Sequence, residues 1–179
     1  MNCKRNRIIP LLIKKKSNLI MINILKIIVM YFVFLINLAL ADDVLPEFSF
    51  LDTENKKHSI SEWKTKTIVI NFWASWCQPC LKEIPDFMAL QNQYAKQNVQ
   101  FIGIAIDDLS AVLHYKNLIG INYPILIASE WDGYELSSRL GNSANTVPYT
   151  VVVNSDSKII FRYSGAVKKT DLISVIRAK

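Results

Sequence analysis

The sequence predicts an α/β fold in which a mixed central sheet is flanked by helices. Apolar, β-branched stretches of strand length alternate with longer stretches of helical periodicity through the middle of the chain. Two short apolar stretches separated by a polar turn follow near the end, and one amphipathic stretch comes after them. These indicate a terminal hairpin and a last helix, so the predicted sheet contains antiparallel as well as parallel strands.

The predicted elements begin at residue 48. Residues 48–51 and 59–60, separated by the polar turn 52–57, predict an N-terminal hairpin. The uncharged stretch 67–73 predicts a fully buried strand, and the helical pattern 79–97 follows it. Further strands are predicted over residues 99–106, 124–128, 150–153 and 158–163. Further helices are predicted over residues 109–119 and 134–140 and in a last segment for which Thr170 is the expected N-cap.

The formal net charge of +6 is concentrated at the N-terminus. Seven Lys and Arg residues and no acidic residue precede Asp42, which leaves fourteen basic and fifteen acidic side chains in residues 42–179. A domain with this balance has no basic face for phosphate. We therefore expect no nucleic-acid partner.

Residues 1–41 have the pattern of a targeting segment. Basic residues precede the uncharged stretch 27–41, whose end, Ala39-Leu40-Ala41, has the small-x-small form of a signal-peptidase site. The alternative is an uncleaved membrane anchor, because residues 19–41 are mostly apolar over the roughly 20 residues that a spanning helix needs. Under either interpretation residues 42–179 form one exported domain.

The pair Cys77 and Cys80 is the strongest chemical signal in this domain. It lies where the predicted buried strand passes into a helix. The free N–H groups and the dipole of a helix N-terminus stabilise a thiolate, which lowers the pKa of a cysteine thiol from about 8.5 toward roughly 3.5 to 7.5. Cys77 is therefore the expected nucleophile and Cys80 the resolving thiol of a redox-active disulfide. Pro79 suits the first helical turn.

A zinc site and a structural disulfide are the plainer interpretations of such a pair. Zinc needs four ligands, and beyond this pair the chain offers only Cys3, His58 and His114, none at a second-ligand spacing. A structural disulfide across so short a loop stabilises little by chain entropy. We expect no metal site and no cofactor, and we place both histidines at the surface.

Three pieces of sequence in a fixed order resemble the TlpA-like and ResA-like thiol-disulfide oxidoreductases of the thioredoxin superfamily. They are residues 71–80 (NFWASWCQPC), 83–85 (EIP) and 146–148 (TVP). The resemblance covers residues 48–179. It implies a thioredoxin fold with an N-terminal hairpin and a helix–strand insertion at residues 109–128. It also implies a location on the periplasmic side of a bacterial inner membrane.

The resemblance further implies how a partner is held. Pro148 would follow a cis peptide bond beside the dithiol, and the backbone of Val147 would pair with an extended partner segment. Trp76 would shield the disulfide, and Gln78 and Pro79 complete the expected partner-contact residues. The alternatives are an ordinary turn proline at Pro148 and a core position for Trp76.

Asn71 is a departure from thioredoxin, which has a buried aspartate at the corresponding place. An asparagine cannot take a proton, so we expect Glu83, three residues after Cys80, to accept the Cys80 proton during resolution. Partial burial beside Ile84 and Pro85 would raise the pKa of Glu83. A solvated helix acid is the alternative.

The expected function is therefore reduction of disulfides in exported proteins such as apocytochrome c, with electrons relayed from a membrane thiol donor. Reduction is favoured over oxidation because Pro79 stands where strong oxidants of the superfamily carry histidine. Two other functions stay open. A copper-binding or delivery module has no histidine or methionine placed to complete its site. A thiol peroxidase would have threonine or serine where Ala74 stands.

Overall fold

The computed structural model describes residues 21–32 and 43–178. The chain divides into two units between residues 42 and 43. Residues 21–32 are helical, and their side chains are exposed. Within the described ranges, no helix is both long and apolar enough to cross a membrane. The predicted cleavage motif at residues 39–41 lies outside the described residues, so the leader stays a prediction.

Strands from residues 43–178 form one mixed sheet. They are β1 (Ser49–Asp52), β2 (Lys57–Ser59), β3 (Thr67–Trp73), β4 (Val99–Ile106), β5 (Ile125–Ala128), β6 (Tyr149–Val153) and β7 (Ile159–Ser164). Their spatial order is β2-β1-β5-β4-β3-β6-β7. β3, β4 and β5 run parallel, and the other neighbouring strands pair antiparallel. The predicted mixed sheet and the terminal hairpin are confirmed. The N-terminal hairpin is present, but its second strand covers residues 57–59 instead of the predicted 59–60, because a 3-10 turn begins at Ile60.

The helices pack on this sheet and create two apolar clusters. They are α1 (Gln78–Tyr94), α2 (Leu109–Ile119), α3 (Glu130–Arg139) and α4 (Lys169–Arg177). One cluster contains Val69 and Trp73 of β3 with residues from α1, α2 and α4. The other contains Ile68, Ile70 and Phe72 with Leu136 of α3. Because successive strand residues point to opposite faces, the two clusters lie on the two sides of the sheet.

The central strand and the insertion follow the sequence closely. All residues of β3 are buried, as its uncharged composition predicts for a strand with neighbours on both sides. α2 ends at Gly120, whose φ of 68° is the left-handed conformation that favours glycine at a helix end. α2 and β5 form the predicted insertion, with β5 lying between β1 and β4.

Two predicted helix starts are wrong. α3 begins at Glu130 rather than residue 134, because the Ser129 hydroxyl accepts a hydrogen bond from the Asp132 N–H and caps the helix there. α4 begins at Lys169, with Lys168 at the N-cap position. Thr170 is therefore inside the helix, and its hydroxyl donates to the Asp171 carboxylate instead of capping the backbone.

Candidate active site

Cys77 and Cys80 form a disulfide at the N-terminus of α1. The sulfur atoms are 2.02 Å apart. Cys77 occupies the N-cap position, and its Sγ accepts a hydrogen bond from the Cys80 backbone N–H at 3.3 Å. The same donor would stabilise negative charge on that sulfur after reduction. The predicted position of the pair at a strand–helix junction is confirmed.

The two cysteines differ slightly in their exposure to solvent. Three residues next to them in the chain, Trp76, Gln78 and Pro79, are exposed. Cys77 is 4% exposed and Cys80 is fully buried, so Cys77 alone of the pair keeps any accessible surface. Gln78 and Pro79 are exposed in the first turn of α1. Trp76 is 62% exposed, which excludes a core position for its indole. The role of these three residues in holding a partner stays a prediction.

The Val147–Pro148 peptide bond is cis, as the resemblance implies. Pro148 is buried immediately before β6, and Val147 is half-buried. Val147 packs against the apolar cluster that includes Cys77 and Cys80. It also packs against the cluster on the other side of the sheet. The position of Pro148 beside the dithiol stays a prediction. Pairing of the Val147 backbone with a partner segment stays a prediction.

Glu83 is a buried acid beneath the disulfide-bearing turn. Its side chain is 4% exposed, so the solvated alternative is wrong. Oε1 accepts a hydrogen bond from Asn71 Nδ2 at 2.8 Å, and Oε2 accepts one from the Val167 N–H at 2.9 Å. Burial raises the pKa of Glu83 to about 7, against the opposing effect of these two hydrogen bonds. A carboxyl group with this pKa can both take and release a proton near neutrality.

Asn71 holds Glu83 from the adjacent strand. Its amide donates to Glu83 and, at 3.1 Å, to the Thr150 hydroxyl. Asn71 Oδ1 makes no hydrogen bond to any described residue. Sequence reasoning identified Asn71 and Glu83 separately but missed that they bind each other, and it missed Thr150 and Val167. The period-2 alternation of β3, which places Asn71 between Val69 and Trp73, could have indicated the α1 side of the sheet.

The raised pKa of Glu83 predicts that stability falls as the pH rises from 4.5 to about 7. Below this window the carboxyl group is protonated in both folded and unfolded chains, and above it both are ionised. Between these limits only the unfolded chain releases the proton, so the free energy of unfolding decreases by a total of about 3 kcal/mol or less. Denaturant titrations of the oxidised protein and of Glu83→Gln across this window measure the effect.

The difference between the two proteins isolates Glu83, since His58 and the surface acids titrate in both. As the pH rises, the free energy of unfolding of Glu83→Gln should increase relative to that of the parent protein. A difference that stays constant between pH 4.5 and 7 would show that Glu83 titrates normally in the folded protein.

Asp107 is a second site residue that sequence reasoning missed. Its Oδ2 accepts hydrogen bonds from the Ser75 N–H at 2.7 Å and the Ser75 hydroxyl at 2.6 Å. Asp107 follows β4, and Ser75 follows the parallel neighbour β3. The carboxyl ends of parallel strands meet at one edge of a sheet, and the parallel pairing of β3 with β4 brings these two residues together there. Asp107 positions the loop that leads to Cys77.

Removing the Asp107 carboxylate is expected to loosen that loop. Asp107→Ala removes the oxygen that accepts both Ser75 hydrogen bonds and the oxygen that accepts from the Asp108 N–H, so the free energy of unfolding should drop by about 1 to 2 kcal/mol. Asp108→Ala, which removes a neighbouring exposed carboxylate, is the matched control. Equal denaturant midpoints for the two variants would contradict a positioning role.

His58 and His114 lie away from any cluster of metal-binding side chains in the described part of the chain. No group of three or more potential metal-binding side chains occurs in residues 21–32 and 43–178. His114 is exposed, as predicted. The expected surface position of His58 is wrong: the residue is half-buried, and its ring nitrogens lie 2.9 Å from carboxylate oxygens of Glu62 and Asp52. The hydrogen bond to Glu62 is the main cause of a raised pKa for His58.

The comparison with known proteins agrees with this geometry. Residues 40–177 match the family described as Redoxin. The chain belongs to the redoxin family. It is 28% identical over 130 residues to the thiol-disulfide oxidoreductase ResA of Bacillus subtilis (strain 168), covering 70% of this chain and 68% of ResA. These findings confirm the predicted place in the thioredoxin superfamily among ResA-like and TlpA-like proteins.

Two solved structures extend the likeness of this redoxin to three dimensions. A thiol:disulfide interchange protein of the thioredoxin family from Chlorobium tepidum TLS is 29% identical, with a TM-score of 0.66 over 76% of this chain and 95% of the other. A secreted Mycobacterium tuberculosis disulfide oxidoreductase homologous to E. coli DsbE is 19% identical, with a TM-score of 0.63 over 74% and 96%. The second shows the thioredoxin-like fold alone. The chain is thus a thiol-disulfide oxidoreductase with its cysteine pair at 77 and 80.

Proposed function

We propose that the protein is an exported reductase that opens disulfides in exported proteins, with Cys77 as nucleophile and Cys80 as resolving thiol. The observation that carries this proposal is the arrangement of three groups in the first two turns of α1. Cys77 caps the helix, Cys80 is buried behind it, and Glu83 is a buried acid with its pKa near neutrality. Such an arrangement suits two successive thiol–disulfide exchanges.

The first exchange forms a mixed disulfide. In the reduced protein the Cys77 thiolate attacks one sulfur of the partner's disulfide, and the other partner sulfur leaves as a thiolate. The N–H of Cys80 and the N-terminus of α1 stabilise the attacking thiolate. Trp76, Gln78 and Pro79 would contact the partner around Cys77, and the backbone of Val147 would pair with its extended segment beside Pro148.

The second exchange releases the partner. Glu83 in its carboxylate form accepts the Cys80 proton, and the Cys80 thiolate then attacks the Cys77 sulfur. The bond between Cys77 and the partner breaks, the second partner sulfur leaves as a thiolate, and the Cys77–Cys80 disulfide forms. Two electrons pass to the partner, carried by sulfur alone, so the reaction needs no cofactor.

The proposed direction of electron transfer rests on Pro79, the residue immediately before the second cysteine. Pro79 cannot supply the positive charge that a histidine would place there to stabilise the reduced form. We therefore favour a reductase that a membrane thiol donor re-reduces. Apocytochrome c is one partner with cysteines that must be kept reduced. Residues 1–41, as a signal peptide or an N-terminal anchor, would place the domain on the periplasmic side of a bacterial inner membrane.

Trapping in cells tests the proposal. Cys80→Ser should accumulate Cys77 in disulfide-linked adducts with its natural partners, which non-reducing gels display and mass spectrometry identifies. Cys77→Ser, with Cys80 intact, is the matched control and should form none. Adducts with Cys77→Ser but not with Cys80→Ser would reverse the two roles. Absence of adducts with both variants would contradict the proposed exchange reaction.

A further inference from the structure

A groove lined by aromatic side chains extends from the active site along α3. One depression of ≈ 560 Å³ includes Trp76 and Asp108 in its lining. A second depression of ≈ 710 Å³ includes Trp131. The two share Ser129, Glu130 and Tyr134, so they form one continuous surface, which we call the Trp76–Trp131 groove.

Two exposed indoles lie in the lining of this groove. Trp131 is 79% exposed and Trp76 is 62% exposed. Neither ring contributes to the two apolar clusters that stabilise the domain. Large aromatic side chains held outside a core are typical of surfaces that bind another molecule, since they supply contact area at low cost in side-chain entropy.

The groove is strongly acidic. Its lining carboxylates are Asp107, Asp108, Glu130 and Glu135, and its lining cation is Arg139 near the Trp131 end. Asp108 stands at the N-cap of α2 but makes no capping hydrogen bond, so helix capping does not account for its charge. No ion pair to these carboxylates forms within the described part of the chain. Asp107 accepts hydrogen bonds from Ser75 and the Asp108 N–H, whereas the charges of Asp108, Glu130 and Glu135 are available to a partner.

We propose that the Trp76–Trp131 groove binds a positively charged, extended segment that flanks the disulfide of a partner protein. This inference rests on the proposed function, because it places the segment next to the partner sulfur that Cys77 attacks. Lysine or arginine side chains would lie between the carboxylates and over the indole faces, where a cation is attracted by both. The groove would thereby select partners with basic residues beside their cysteines.

Matched peptides test this selection with the full-length reduced protein. Three peptides of equal length carry one internal disulfide flanked by lysines, glutamines or glutamates, and the rate constant for their reduction is measured at low and high salt. The lysine peptide should react about 10-fold faster than the glutamate peptide at low salt, and added salt should remove most of this difference.

Charge removal should abolish the preference. In Asp108→Asn/Glu130→Gln, the ratio of the lysine to the glutamate rate constant should fall about 3- to 10-fold. Asp156→Asn, which neutralises an exposed acid in the β6–β7 turn, is the control and should keep the original ratio. Trp131→Ala should weaken the preference independently of the carboxylates. A ratio near one in the unmodified protein, or a ratio unchanged in the double variant, would overturn the proposed groove function.

Binding without chemistry separates this proposal from the proposed function. Cysteine-free versions of the peptides are titrated into the oxidised protein, and binding is followed by tryptophan fluorescence. Preferential binding of the lysine peptide would support the proposed groove function, whether or not the disulfide peptides are reduced. Failure of the reduced protein to reduce any disulfide peptide would count against the exchange reaction only. Equal binding of the lysine and glutamate peptides would overturn the groove.

Discussion

Cys77→Ser is expected to lower the rate constant for reduction of a protein disulfide by on the order of 1,000-fold or more. The attacking species is a thiolate, and a serine hydroxyl at the same place remains protonated and cannot replace it. Cys80 does not compensate, because it is fully buried inside the first turn of α1. The measurement is a stopped-flow reaction of the reduced protein with a disulfide-containing substrate in excess.

Cys80→Ser is the matched variant for this prediction, since it removes the other thiol of the pair. It should retain the first exchange within a few-fold, because the Cys80 backbone N–H that binds Cys77 Sγ remains. Release of the partner should fail, so the reaction stops at the mixed disulfide. The assignment is wrong if Cys77→Ser keeps the first exchange and Cys80→Ser loses it.

Glu83→Gln is expected to slow the second exchange by roughly 100-fold near neutral pH. Cys80 is fully buried, and Glu83, three residues further along α1, is a buried carboxylate that can take its proton without help from bulk water. In the parent protein the rate of partner release should rise with pH through the pKa of Glu83, which is about 7. In Glu83→Gln this inflection should disappear, leaving only the titration of the thiol itself.

The packing around Glu83 makes this variant interpretable. Glutamine retains one acceptor oxygen, and a flip of the Asn71 amide would offer its unpartnered Oδ1 to the new Nε2–H donors. Asp86→Asn is the control, since Asp86 is another acid of α1 and pairs at the surface with Lys169 at 3.3 Å. Single-turnover release of a preformed mixed disulfide measures the step. If Glu83→Gln and Asp86→Asn release the partner at the same rate, Glu83 is not the proton acceptor.

The elements that the sequence predicted well are those set by local pattern. β3 and β4 coincide with their predicted stretches, because strands with neighbours on both sides are buried on both faces and are composed mainly of apolar residues without charges. α2 ends where Gly120 permits the left-handed conformation. The start of α4 was misplaced because a threonine near a helix start suggests a cap, whereas here the hydroxyl binds Asp171 one residue on.

The candidate site likewise has some features that local sequence predicts and others that it does not. The cysteine pair and the buried acid could be predicted because Cys77, Cys80 and Glu83 lie at the start of one helix, where spacing alone fixes their relation. The hydrogen bond that Glu83 accepts from the Val167 N–H could not be predicted, since Val167 is 84 residues away in the chain. Asp107 and Ser75 likewise meet only when β3 and β4 pair in parallel, a register that no local pattern contains.

The central claim is that the Cys77 thiol is unusually acidic, and the pH dependence of its alkylation tests this most directly. Reduced Cys80→Ser, which carries Cys77 without its redox partner, is treated with iodoacetamide over a range of pH. The ordinary pKa of a cysteine thiol is about 8.5, and labelling of Cys77 should reach half its maximal rate well below that pH. Half-maximal labelling at or above that value would contradict the account.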